Sequence, residues 1–114
     1  MRILILATTL LAGAAISLAQ SRSFAGEIMD SQCAAMRSHN RMMQGMDAKN
    51  AKDCTQKCVQ TMGGKYALYD PATKTAYVLD NQEKAAGFAG QKVSVKGTYD
   101  ATGKTIHIES IEAQ

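Results

Sequence analysis

Five short stretches alternate apolar with polar residues, turn-forming residues separate them, and one clear helical period follows the first stretch. Together these predict a mainly β domain with an inserted helix: a small five-stranded OB-like barrel, with an open α+β sheet as the alternative. Closing five strands on one another removes exposed sheet edges.

Residues 26–30 read as a short first strand. Residues 50–62 form the clearest helix, with Ala51, Cys54, Cys58, Val59 and Met62 on one face at the period of about 3.6 residues. Lys52, Asp53, Gln56, Lys57 and Gln60 take the other face. Asn50 suits the N-cap, Asp53 answers from the third helical position, and Gly63-Gly64 ends the helix. Asp53 and Lys57 make a favourable i,i+4 pair. Residues 65–69 and 75–79 read as strands joined by Asp70-Pro71-Ala72-Thr73, with proline at the second turn position. Residues 81–88 form a short helix stopped by Gly90. Residues 91–99 alternate, with Val93, Val95 and Tyr99 on one side, and Gly97 interrupts the buried row where a bulge or bend is expected. The last strand, 105–111, loses its period at Ile111, as a bulge near Ser110 or a strand end there would cause.

The chain has 114 residues and opens on Met1-Arg2, followed by an uncharged apolar run over residues 3–19. A charged start, an apolar centre and a small-residue end predict a secretory signal peptide over residues 1–19. The run sits at the short limit for a membrane span and is interrupted by Thr8, Thr9 and Gly13. Cleavage is expected after Ala19, with Ala25 the second choice. Residues 20–114 then form one small secreted or periplasmic domain, with no stable membrane anchor and a Cys- and Met-rich helical insert at about 31–63. A net charge of +3, with the signs mixed along the chain, argues against nucleic acid as a partner. There is no phosphate-binding glycine loop, nucleophile elbow or recognisable carboxylate pair, so no catalytic residue and no enzyme activity are expected. An envelope ligand or protein is the expected partner.

Several segments carry a resemblance: residues 26–33 from Gly26 to Cys33, residues 53–59 with Asp53, Cys54, Thr55 and Cys58, the Tyr66-Ala67-Leu68-Tyr69 run, residues 88–98, and residues 106–111. In these the chain resembles a family of small exported bacterial proteins whose OB-like domain has no assigned function. The 53–59 segment is the most specific part. The resemblance implies an OB-like fold, a first Cys followed by a His, and a Cys pair on a helix. It implies no activity. In the family the His lies closer to the first Cys, whereas His39 comes six residues after Cys33.

Three cysteines in an exported chain is an odd number, and two readings are open. Thiols outside the cytoplasm tend to pair. Cys33–Cys54 or Cys33–Cys58 would tie the loop after the first strand to the helix and leave one buried thiol. Closing ~20–25 residues stabilises by about 3 kcal/mol in the chain-entropy model. Such a stapled domain would serve as an interaction module for a peptide, glycan or protein. The other reading is a metal site. Cys54 and Cys58 present two thiolates on one helix face, and Cys33 and His39 complete a set suited to tetrahedral Zn²⁺. Thiolates with thioethers also suit Cu(I). A redox-cycling thiol pair lacks the βαβ context such pairs use. Metal binding leads, and the stapled interaction module is the alternative.

Met36, His39, Met43 and Met46 recur at about helical spacing. The ordinary reading is the apolar stripe of a second helix packed on the first, and the sharper one is a soft copper surface. Met42 lies off this stripe, and Arg37 and Arg41 work against a cation there. His107, between Ile106 and Ile108, points away from the core. Asp30 and Ser31 fit a turn or helix cap. Tyr66, Tyr69, Tyr77 and Tyr99 fit cross-strand packing better than a ligand-binding face.

Overall fold

The computed structural model describes residues 20–38 and 48–114. The expected signal peptide, and with it His39, Met42, Met43 and Met46, lie outside the described residues. Among the described residues the elements are β1 (Arg22–Asp30), α1 (Ser31–Met36), α2 (Ala51–Met62), β2 (Tyr66–Asp70), β3 (Thr75–Leu79), α3 (Gln82–Ala86), β4 (Lys92–Asp100) and β5 (Thr105–Ala113).

The five strands form one sheet that closes in a ring, in the order β1-β2-β3-β5-β4 and back to β1. An open sheet is not what forms. β1 is longer than expected because it serves two neighbours. Residues from Arg22 to Glu27 pair with β4, and those from Glu27 to Asp30 pair with β2. The change of partner at Glu27 lets one strand join both sides of the sheet. All pairings are antiparallel except β3 with β5, a short parallel contact that matches Val78 with Thr105 and Leu79 with Ile106.

Alternation sends Phe24, Ile28, Leu68, Val93, Val95 and Ile106 to the inside of the ring, where they are buried. Each such side chain contributes about 1.5–3 kcal/mol when fully removed from water. Ala85 of α3 and Ala89 after it pack into the same core, and Val59 of α2 packs against it. The Gln82 side chain extends the hydrogen bonding at the start of β2. Its Oε1 accepts from Tyr66 N at 2.8 Å, and its Nε2 donates to the carbonyls of Tyr66 and Leu79 at 2.9 and 3.0 Å. No sequence pattern marked this residue.

The bulge forms where the broken periods place it. Lys96 opposes Ser110 and Gly97 opposes Ile108, so Glu109 is the extra residue of β5. Gly97 is buried against the next strand, and a β-carbon there would run into the His107 carbonyl. Gly97→Ala is therefore expected to lower unfolding stability by about 1–3 kcal/mol, read as a lower urea midpoint. A wild-type midpoint would mean the bulge yields to the added methyl.

The tyrosines pack against other side chains, and Tyr69 also borders a cavity. Tyr66 joins the main core and Tyr69 a second cluster with Met29, Ala34 and Ala67. Tyr77 and Tyr99 form an aromatic triangle with Phe24, with centroids 5.2–6.1 Å apart, and the Arg22 guanidinium lies 4.5 Å from the Phe24 ring centre. His107 is exposed and lies 3.1 Å from Asp80 Oδ2. Burial of Asp80 acts upward on its carboxyl, but the Ile108 amide and His107 outweigh it and hold the group below its usual range. No described helix is long and apolar enough to cross a membrane.

Candidate metal centre

Cys33 is positioned by the end of β1. Asp30, fully buried, caps α1: its Oδ2 accepts from the Gln32 amide at 2.9 Å and its Oδ1 from the Cys33 amide at 3.0 Å. A helix of six residues has little stability of its own, so this cap and tertiary contacts hold it in place. The Ser31 amide donates to the Lys65 carbonyl at 2.7 Å, and Ser31 Oγ accepts from the Lys65 amide at 3.2 Å. These bonds join α1 to the residue before β2. Ala34 packs into the cluster with Met29, Ala67 and Tyr69. α1 then ends at Met36, because Arg37 adopts the left-handed conformation at φ 61°. Of the expected stripe, α1 carries Met36 alone, which is 41% exposed, and the other members lie outside the described residues.

Cys54 and Cys58 are carried by α2. Asn50 caps this helix as expected, with its side chain accepting from the Asp53 amide at 2.9 Å. Asp53 reaches back to the Lys49 amide at 2.9 Å rather than to the amide of the cap residue. That bond, with Lys57 3.3 Å away, holds the Asp53 carboxyl below its usual range against the opposing effect of burial. The start of α2 rests on Gly90, which has φ +73° and donates to the Ile28 carbonyl at 2.8 Å. A β-carbon at Gly90 would strike the Ala51–Lys52 backbone.

The buried face of α2 differs from the expected one. Cys54, Thr55 and Cys58 are buried, whereas Met62 is 48% exposed. Thr55 tolerates burial because its hydroxyl donates to the Ala51 carbonyl at 2.8 Å. The C-terminal end of α2 and the start of α1 meet at Asp30. Gly64 donates to the Cys58 carbonyl, and its Cα hydrogens face Asp30 Oδ2, leaving no room for a side chain without some shift.

The result is a cluster of Cys33, Cys54 and Cys58. All three are fully buried, and their sulfurs lie within 4.8 Å of one another. None of the three is in a disulfide. The expected staple between Cys33 and Cys54 or Cys58 is thus corrected. The three sulfurs converge on one another from two helices. Burial pushes the Cys33 thiol well above its ordinary pKa, reinforced by the Asp30 carboxylate beside it. The Cys58 thiol is pushed up to about 11, first by burial and then by Asp30 and Cys54. Thiolates in such a place need a cation to offset their charge. The cluster can hold one metal ion through three sulfurs. His39, the expected fourth ligand, lies outside the described residues.

A cavity of about 750 Å³ opens beside the outer face of β1, bordered by Met29, Arg37, Tyr69, Pro71 and Lys92 among others. None of the three cysteines lines it.

No family model, curated protein or solved structure matches the chain. The chemistry of its own side chains is what speaks to its function, and the three converging sulfurs are the most specific feature they offer.

Proposed function

We propose that this chain is an exported, non-catalytic metal-binding module built on an OB-like barrel. Cys33, Cys54 and Cys58 are the ligands of one thiophilic ion, zinc or copper(I), and His39 is the fourth ligand. The observation that carries this reading is the meeting of three buried sulfurs from two helices at one point. Thiolate ligands favour such soft or borderline ions. The strand order and the parallel β3–β5 contact support the OB-like assignment, as does the resemblance to small exported proteins of that fold. Buried, protonated thiols are poor nucleophiles, which favours binding over catalysis. The mature domain begins at Gln20 and works outside the cytoplasm, with an envelope ligand or protein as partner rather than nucleic acid.

The cavity beside β1 favours a second reading, an interaction module that takes a peptide, glycan or protein segment there. Metal analysis and a thiol count on protein produced in the periplasm separate the two. A metal module carries bound ion, hides its thiols until a chelator is added, and then exposes all three cysteines. An interaction module carries no ion, and its thiol count is the same with or without chelator. His39→Ala weakens ion binding if His39 completes the ligand set and leaves it unchanged if it does not.

A further inference from the structure

The ions that three buried sulfurs accept depend on the charge of the filled site as well as on the softness of the donors. We propose that Cys33, Cys54 and Cys58 also capture trivalent metalloid hydroxides, arsenous acid in particular, by exchanging all three hydroxides for sulfur. This rests on the reading above that the three thiols act as one ligand set.

In the exchange, arsenous acid and three thiols give a tris-thiolate arsenic centre and three waters. Three As–O bonds break and three As–S bonds form. Each hydroxide leaves as water with the proton of the thiol that replaces it. Arsenic stays trivalent, no electrons move, and no proton is released to solvent.

Three features of the cluster favour this ligand. The sulfurs are three in number and within 4.8 Å of one another, and three donors complete the coordination of a trivalent metalloid whose lone pair takes the remaining direction. All three are fully buried, so the net charge of the filled site is costly unless it is small. Finally, Asp30 is fully buried with its Oδ1 3.0 Å from the Cys33 amide, so an acidic side chain already stands beside the cluster. Three thiolates around Cu(I) leave two negative charges and around Zn²⁺ leave one. Around trivalent arsenic they leave none. The metalloid is thus the ligand that fills the site without introducing charge beside Asp30.

The test uses the mature protein, reduced with a thiol-free phosphine under nitrogen and titrated with sodium arsenite. The expected product holds one arsenic per chain, has gained the mass of arsenic less three hydrogens, and protects all three cysteines from alkylation. A pH indicator registers no proton release on arsenite binding, whereas zinc and copper(I) release protons as they displace thiol hydrogens. Antimonite behaves as arsenite does. In Cys54→Ser the arsenite affinity falls by more than about 100-fold, beyond the effect of losing an outer-shell partner of a metal site. Zinc or copper(I) held by the three cysteines without arsenite uptake overturns this proposal and leaves the metal reading standing. All three thiols reactive whatever ion is added overturns both. Arsenic held by two sulfurs with the third freely alkylated also overturns the proposal. If Cys54→Ser does not fold, the thiol count and proton balance of the wild-type protein decide.

Discussion

Adding zinc or copper(I) to the reduced protein is expected to raise its melting temperature by about 10–20 °C. The magnitude follows from linkage: an ion bound only by the folded chain, at a hundred times its dissociation constant, stabilises by about 2.7 kcal/mol. In a domain of this size each kcal/mol moves the midpoint by about 4–8 °C. Cys33→Ser, Cys54→Ser and Cys58→Ser are each expected to abolish the rise, because each removes one of the three converging sulfurs. The quantity to compare is the shift on adding the ion, since a buried serine hydroxyl lowers stability by itself. Acid works against the ion, because protons compete for the sulfurs. Without the ion, the apo protein loses stability as pH rises past the unfolded thiol pKa of about 8.5. The sign follows from the raised Cys33 and Cys58 pKa values: the unfolded chain ionises there while the folded centre does not. Differential scanning calorimetry with and without ion, from pH 6 to 10, measures all of this. An ion-independent midpoint in the wild type would refute the metal centre.

Asp30→Ala should have the next largest effect, because one carboxylate serves both the fold and the centre. Its removal leaves the buried Cys33 amide and the half-buried Gln32 amide without their acceptors. The lost cap and the unsatisfied donors together cost about 2–3 kcal/mol. The short α1 that holds Cys33 then frays, and ion affinity falls by about 10–100-fold, as when an outer-shell partner is lost. Asp30→Asn keeps one acceptor oxygen and a residue type that caps well, so it should recover much of the stability. Urea unfolding of the apo protein and competition with a chromophoric zinc chelator read the two effects separately. Full stability in Asp30→Ala would mean that α1 is held by its packing and by the Ser31–Lys65 bonds alone.

Local rules explain what was legible in the sequence. The strand Thr75–Leu79, the Asn50 cap, the Gly97 bend and the outward His107 each depend on residues close by or on their own period, so they could be read directly. The first half of β1 could not. Residues 22–25 have too few apolar positions for a clear period, and they are extended because β4 supplies their hydrogen-bond partners. Thr55 was missed on α2 because hydropathy does not register that its hydroxyl is satisfied within the helix. Gln82 was missed because its role depends on where β2 begins in space.

By itself the sequence determined a mainly β chain, its order of strands, and the placement of Cys54 and Cys58 on one helix face. Each of these follows from spacing or from a bond between near neighbours. Only the tertiary structure decided that the sheet closes through the short β3–β5 contact and that Cys33 meets the other two cysteines as a free thiol. It also decided that the capping carboxylate of Asp30 lies against Cys33. These contacts join residues far apart in the chain. They arise because β1 divides its pairing between two strands and Gly90 lets α2 dock beside it, and the free energy of such an arrangement belongs to the packed whole rather than to any one segment.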